Sequence, residues 1–134
     1  MFKLIKIQNS GVNVPEPQKF DKSASLRIKA GDALVFENGI IISCPATSVP
    51  THIAFADAKY NEYSVYAYAI NENMLFETNV GEDPSELMLG YKVTIDKDSD
   101  GCSSRVTATT TSGVATIVDL MNASKVGDKI TVKF

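Results

Sequence analysis

Tryptophan is absent from this chain, histidine occurs once, and cysteine twice. His52, Cys44 and Cys102 are too few for a Cys/His metal cluster. The lack of tryptophan removes the side chain that carbohydrate platforms use most. Clustered positive charge is missing as well: the 13 Lys and Arg residues are scattered and the net charge is -3, so nucleic acid is not an expected partner. No apolar run approaches the ~20 residues of a membrane-spanning helix. The opening segment Met1-Phe2-Lys3-Leu4-Ile5-Lys6-Ile7 breaks its apolar residues with lysines and lacks the continuous core of a secretory signal. The expectation is a soluble protein synthesised inside the cell, with no membrane association and both cysteines free and partly buried. There is no Gly-rich phosphate loop, dinucleotide fingerprint or nucleophile elbow.

What the chain does contain is one pattern twice. Gly31-Asp32-Ala33-Leu34-Val35-Phe36 leads through Thr51-His52-Ile53-Ala54-Phe55-Ala56-Asp57 to Tyr63-Ser64-Val65-Tyr66-Ala67, and Gly90-Tyr91-Lys92-Val93-Thr94-Ile95 leads through Ser112-Gly113-Val114-Ala115-Thr116-Ile117-Val118-Asp119 to Lys129-Ile130-Thr131-Val132-Lys133-Phe134. The drift in spacing between the two copies fits insertions in surface loops. The length suits one domain with one core.

Short runs rich in Val, Ile, Thr, Tyr and Phe recur between Gly, Asn, Asp and Pro, which predicts an all-β fold. They fall at 2–7, 26–29, 34–36, 40–42, 64–70, 74–76, 92–95, 105–109, 114–118 and 129–134. Asn38-Gly39 predicts a tight hairpin, because both residues accept positive φ. Asp83-Pro84-Ser85-Glu86 carries the signals of a helix start, and Leu120 to Lys125 offers a second short helical turn. Neither can form a layer, so the strands must bury their faces on one another as a sandwich or barrel. Gln8 to Phe20, with Gly11, Pro15 and Pro17, reads as an extended arm that lies along its own domain or adds a strand to a neighbour's sheet edge. The expected division is an N-terminal strand and arm over 1–22, a first β-unit over 23–82 and a second over 83–134.

Three constellations bear on chemistry. Asp96, Asp98 and Asp100, followed by Gly101, match the first half of a calcium loop, where alternate carboxylates converge on the cation. The second half fails: Ser103 stands where an aliphatic residue is wanted and Thr107 where a bidentate Glu is needed, and the flanks read as strands. An acidic, solvated hairpin loop is the simpler reading. His52 could serve a Cys-His or Ser-His site only if a nucleophile meets it in space. Tyr66 and Tyr68 share one strand face and Val65, Ala67 and Ala69 the other, so the tyrosine face belongs to the core or to a contact surface. No catalytic, cofactor-binding or metal-ligating residue is assigned and no cofactor is expected. A small all-β chain of this kind is expected to bind or assemble, not to catalyse.

The paired units, their Thr-His-Ile-Ala and Gly-Val-Ala-Thr-Ile approaches, the Gly-Asp-Lys-Ile-Thr-Val close, the opening Phe2-Lys3-Leu4-Ile5-Lys6 and the Val14-Pro15-Glu16-Pro17 segment together resemble small structural proteins of tailed bacteriophages and prophages. The resemblance is to head-decoration, or capsid-stabilising, proteins: compact β-barrels or sandwiches on the outside of the capsid, often trimeric. It implies a non-enzymatic protein that binds capsid protein and other copies of itself, located on the virion surface after synthesis in the host cytoplasm. Its contact surface would be residues 2–20 and the Tyr66/Tyr68 face. The alternatives are a calcium- or carbohydrate-binding module resting on Asp96, Asp98, Asp100 and the tyrosines, and a small hydrolase resting on His52.

Overall fold

The computed structural model describes residues 1–8 and 15–134. Among the described residues twelve strands form: β1 Lys3–Ile7, β2 Gln18–Asp21, β3 Ala33–Glu37, β4 Ile40–Ser43, β5 His52–Ala54, β6 Ser64–Ala69, β7 Met74–Asn79, β8 Lys92–Val93, β9 Ile95–Lys97, β10 Ser103–Val106, β11 Ala115–Asp119 and β12 Lys129–Lys133. They build two antiparallel five-stranded sheets, ordered β1-β7-β12-β11-β8 and β2-β6-β5-β3-β4, and a β9-β10 hairpin. The architecture is all-β and sandwich-like.

The pairing pattern of the β2–β6 sheet recurs in β7, β8, β11 and β12 of the other sheet together with the β9-β10 hairpin. Gly31 and Gly90 both have φ of 85°, a left-handed conformation in which a side chain would be strained. Each glycine N–H donates to the carbonyl of the middle strand, Gly31 to Ala54 at 2.8 Å and Gly90 to Ile117 at 2.9 Å. The same middle residues donate back one position further on, Ala54 to Asp32 and Ile117 to Tyr91. Thr51 to Leu34 and Val114 to Val93 complete the match. Facing pairs correspond too: Phe36 with Ile41 and Ile95 with Val106, Lys19 with Tyr66 and Glu77 with Thr131. A parallel bridge sits at the equivalent place in each unit: Lys22 to Ile41 ties β4 toward β2, and Val80 to Val106 ties the β9-β10 hairpin to the end of β7. β2, β3, β4, β5 and β6 thus correspond to β7, β8 with β9, β10, β11 and β12. β7 lies within 23–82 yet pairs with β12 and β1.

Burial follows the pleat. Leu34, Ile41, Ala54, Val65 and Ala67 line the concave side of the first sheet with Ile28 and Ala58 from the loops. The opposite side offers Ala33, Ile53 and Tyr68 to a larger core shared with Phe2, Met74, Phe76, Val93, Ile117, Ile130 and Val132. The Asn38-Gly39 turn has φ of 51° and 82°, as its sequence predicts.

Two expectations are corrected. Among the described residues there is no helix. Asp83 caps a single turn, accepting from the Ser85 N–H, and Leu87 N–H donates to the Pro84 carbonyl. Met121 and Asn122 adopt positive φ, which an α-helix cannot accommodate, and Asp128 binds the Ser124 and Lys125 N–H groups instead. Nor is there a free N-terminal arm: β1 pairs with β7 along the edge of one sheet, and β2 with β6 along the edge of the other. Residues 9–14, the middle of the expected arm, lie outside the described residues. No helix here is long and apolar enough to cross a membrane.

Candidate functional site

The β5 and β6 strands continue past their last core pair, Ile53 with Tyr68, to place Phe55 beside Tyr66, joined by the Phe55 N–H to the Tyr66 carbonyl at 2.8 Å. The tyrosine face therefore divides. Tyr68 is buried in the shared core, where desolvation pushes its phenol up to about 12. Tyr66 is 49% exposed and Phe55 59%, beyond the cover of the other sheet. Lys19 on β2 faces Tyr66 from the other side.

Next to them, Asp57, Glu62, Tyr63, Ser64, Val65 and Tyr66 line an open cleft of about 530 Å³. Tyr63 is 73% exposed. Both carboxylates are held by the backbone: Asp57 Oδ1 accepts from the Ala30 N–H at 2.8 Å and Glu62 Oε2 from the Lys59 N–H at 2.7 Å. Beneath the cleft, the buried Lys22 ammonium donates to the carbonyls of Ser23, Leu26 and Lys59. Desolvation lowers its pKa, with Glu62 acting the other way. One side chain thereby ties three loop segments together.

The other sequence candidates are occupied structurally. Asp98 Oδ1 accepts from the backbone N–H groups of Asp100 and Cys102, while its Oδ2 accepts from Ser104 and Lys29. Burial would raise the Asp98 pKa, but these donors outweigh it and the net shift is downward. Asp100 pairs with Lys29 and lies 4.0 Å from Arg27, and Asp96 pairs with Arg105 at 2.6 Å. Asp98 and Asp100 share Lys29 while Asp96 faces Arg105, so the three aspartates do not converge on one centre. Among the described residues, no group of three or more His, Cys, Asp or Glu is placed to hold a metal ion.

His52 packs edge-on against Phe20 and Phe36, with ring centroids 4.9 and 5.1 Å away, and its Nδ1 bonds to Thr51 Oγ1. Burial lowers its pKa. Both cysteines are free and buried. Their thiols point to carbonyls: Cys44 to Pro45 and Ser48, Cys102 to Arg27. Burial raises them to about 12 and 11, far from a thiolate at neutral pH.

One group escaped the sequence reading. Asp32 is fully buried; its Oδ2 accepts from the Lys29 N–H, and its Oδ1 has no hydrogen-bond partner among the described residues. Desolvation raises its pKa to about 6 against the opposing effects of Lys29 N–H and the Cys102 thiol. Its only sequence signal was the place beside the opening Gly31, which also suits an exposed turn.

No protein-family model matches the chain, and no curated protein matches it. A solved structure does resemble it: the N base of the head fiber protein gp8.5 in bacteriophage phi29. The two share 18% identity at a TM-score of 0.53, over 88% of this chain and 93% of the other. At that identity the likeness is one of fold.

Proposed function

We propose that the chain is a non-enzymatic structural protein of a phage or prophage virion, attached to the capsid exterior as a decoration or fiber-base module. The observation that carries this reading is the fold likeness to a phage head fiber base over nearly the whole of both chains. The wider site agrees with it, since Asp32, Cys44, Cys102 and Tyr68, whose pKa values burial raises, lie inside the fold, and the exposed aromatics lie on an open surface. The partners under this reading are capsid protein and further copies of the chain. Binding energy would come from several modest contacts repeated around a lattice.

The test is to purify particles made from the genome of origin through a density gradient and ask whether the chain bands with them. Co-banding, and a symmetric density for the chain outside the shell in particle reconstructions, is the expected outcome. Full particles that lack the chain would refute a virion role. Density inside the shell would refute external attachment.

A further inference from the structure

The repeat shows which surface of the first unit lacks the cover that its twin has. The residue matching Tyr66 in the second unit is Thr131, by their equivalent pairings with Lys19 and Glu77. Thr131 is only 5% exposed, because the turn after β11 folds Met121 over it, and its hydroxyl donates to the Met121 sulfur at 3.4 Å. In the first unit the turn after β5 runs the other way: Ala58 is drawn into the concave core and pairs with Ile28. Tyr66, Phe55 and Tyr63 are left uncovered, with Asp57 and Glu62 beside them.

We infer that this cleft receives an arginine side chain from a protein partner. Two exposed tyrosines, Tyr63 and Tyr66, line the cleft, and two carboxylates, each already oriented by a backbone N–H, offer the matching charge. Neither carboxylate belongs to an ion pair among the described residues. A guanidinium suits the site better than an ammonium, since its plane stacks on aromatic rings and it sheds water more readily. The cations around the cleft define its limits: Lys22 is committed to three carbonyls below Glu62, Lys59 lies on the connecting turn, and Lys19 stands across from Tyr66. The inference concerns the chemistry of the cleft and holds whatever protein carries the arginine.

The test uses N-acetyl-arginine amide, titrated into the 15N-labelled full chain and followed by amide chemical shifts, with N-acetyl-citrulline amide as the uncharged isostere. Saturable shifts confined to residues 55–57 and 62–66 are expected, with citrulline at least about fivefold weaker. Tyr66→Ala, and separately Asp57→Asn with Glu62→Gln, should each weaken binding by about fivefold, while Lys19→Ala strengthens it. Asn and Gln keep an oxygen for the Ala30 and Lys59 N–H groups, and unchanged shifts elsewhere in the spectrum report that the fold is retained. Equal effects of arginine and citrulline, or shifts spread over remote acids such as Asp83 and Asp119, would overturn the inference. So would shifts at these residues with maltohexaose and none with arginine, which would make the cleft a sugar site.

Discussion

Replacing Asp32 with Asn should change how stability depends on pH more than stability itself. The carboxyl titrates near 6 in the folded chain, against 3.8 for the ordinary side chain. The folded state therefore holds the proton more tightly than the unfolded state between those values, and stability falls as pH rises through this window. A difference of about two pK units corresponds to an upper limit of about 3 kcal/mol lost between pH 4 and pH 7. His52 works in the opposite direction: its lowered pKa makes the unfolded chain the stronger proton binder just below pH 6.5, so stability there rises with pH. The carboxylates with lowered pKa, Asp98, Asp128 and Glu77, contribute stability that is fully present above their unfolded pKa and lost at more acid pH. Comparing wild type with Asp32→Asn cancels His52, Asp128 and Glu77, whose shifts do not involve Asp32; Asp98, which repels the Asp32 carboxylate, is relieved of that repulsion in the variant. Asn can still accept from the Lys29 N–H, but its amide places a donor where Oδ1 has no partner. The variant should therefore be more stable than wild type at pH 7 by about 1–2 kcal/mol, less than the full limit, and should lose that advantage by pH 4. Urea denaturation at half-unit pH steps would show it. A difference between the two proteins that stays constant from pH 4 to pH 7 would refute the reasoning.

Other outcomes follow from the packing. Phe76→Ala, at a fully buried position, should cost about 3–5 kcal/mol in chemical denaturation. Lys22→Met should cost about 1–3 kcal/mol by leaving the Leu26 carbonyl without a donor and the Ser23 and Lys59 carbonyls with only the Leu26 and Glu62 N–H groups, and native-state hydrogen exchange should rise first in segments 23–26 and 59–62. Gly90→Ala meets open space but must hold φ of 85°, a cost of about 1–2 kcal/mol; Gly113→Ala drives a methyl into the Lys92 carbonyl and should be the more damaging when the two melting curves are compared. Millimolar calcium should leave the melting temperature unchanged, because Asp96, Asp98 and Asp100 each answer to Arg105, Lys29 or Arg27; a rise of several degrees would show that the loop reorganises around the ion.

Strand identity was legible where side-chain alternation and turn chemistry agreed, as at β3 and β4 around Asn38-Gly39 and at β6 with its Val65/Tyr66 split. β2 was not, because Gln-Lys-Phe-Asp carries one apolar residue and follows two prolines; it is a strand through pairing with β6 alone. Helix-start signals at Asp83 misled because the same side-chain oxygen that caps a helix also closes a turn, and only the following residues decide which forms. The open cleft was hidden for a different reason. Tyr66 and Tyr68 are equivalent by alternation, and what separates them is how far the opposite sheet extends, a tertiary fact. Glu62 carried no motif, and Asp57 only its place at the end of a repeated segment.

The repeated pairing pattern bears on the history of the chain and on its behaviour when cut. Each half is about sixty residues, a size at which a lone core is marginal, so an ancestral single copy would have depended on pairing with itself. Joining two copies end to end makes that encounter permanent and frees each from matching the other. The divergence is visible where Lys29 and Arg27 of one copy grip a loop in the other that their own copy lacks. Peptides 1–71 and 72–134, weakly ordered apart, should then regain strand structure by circular dichroism only when mixed; a fully folded 72–134 alone would show that the second copy already stands by itself.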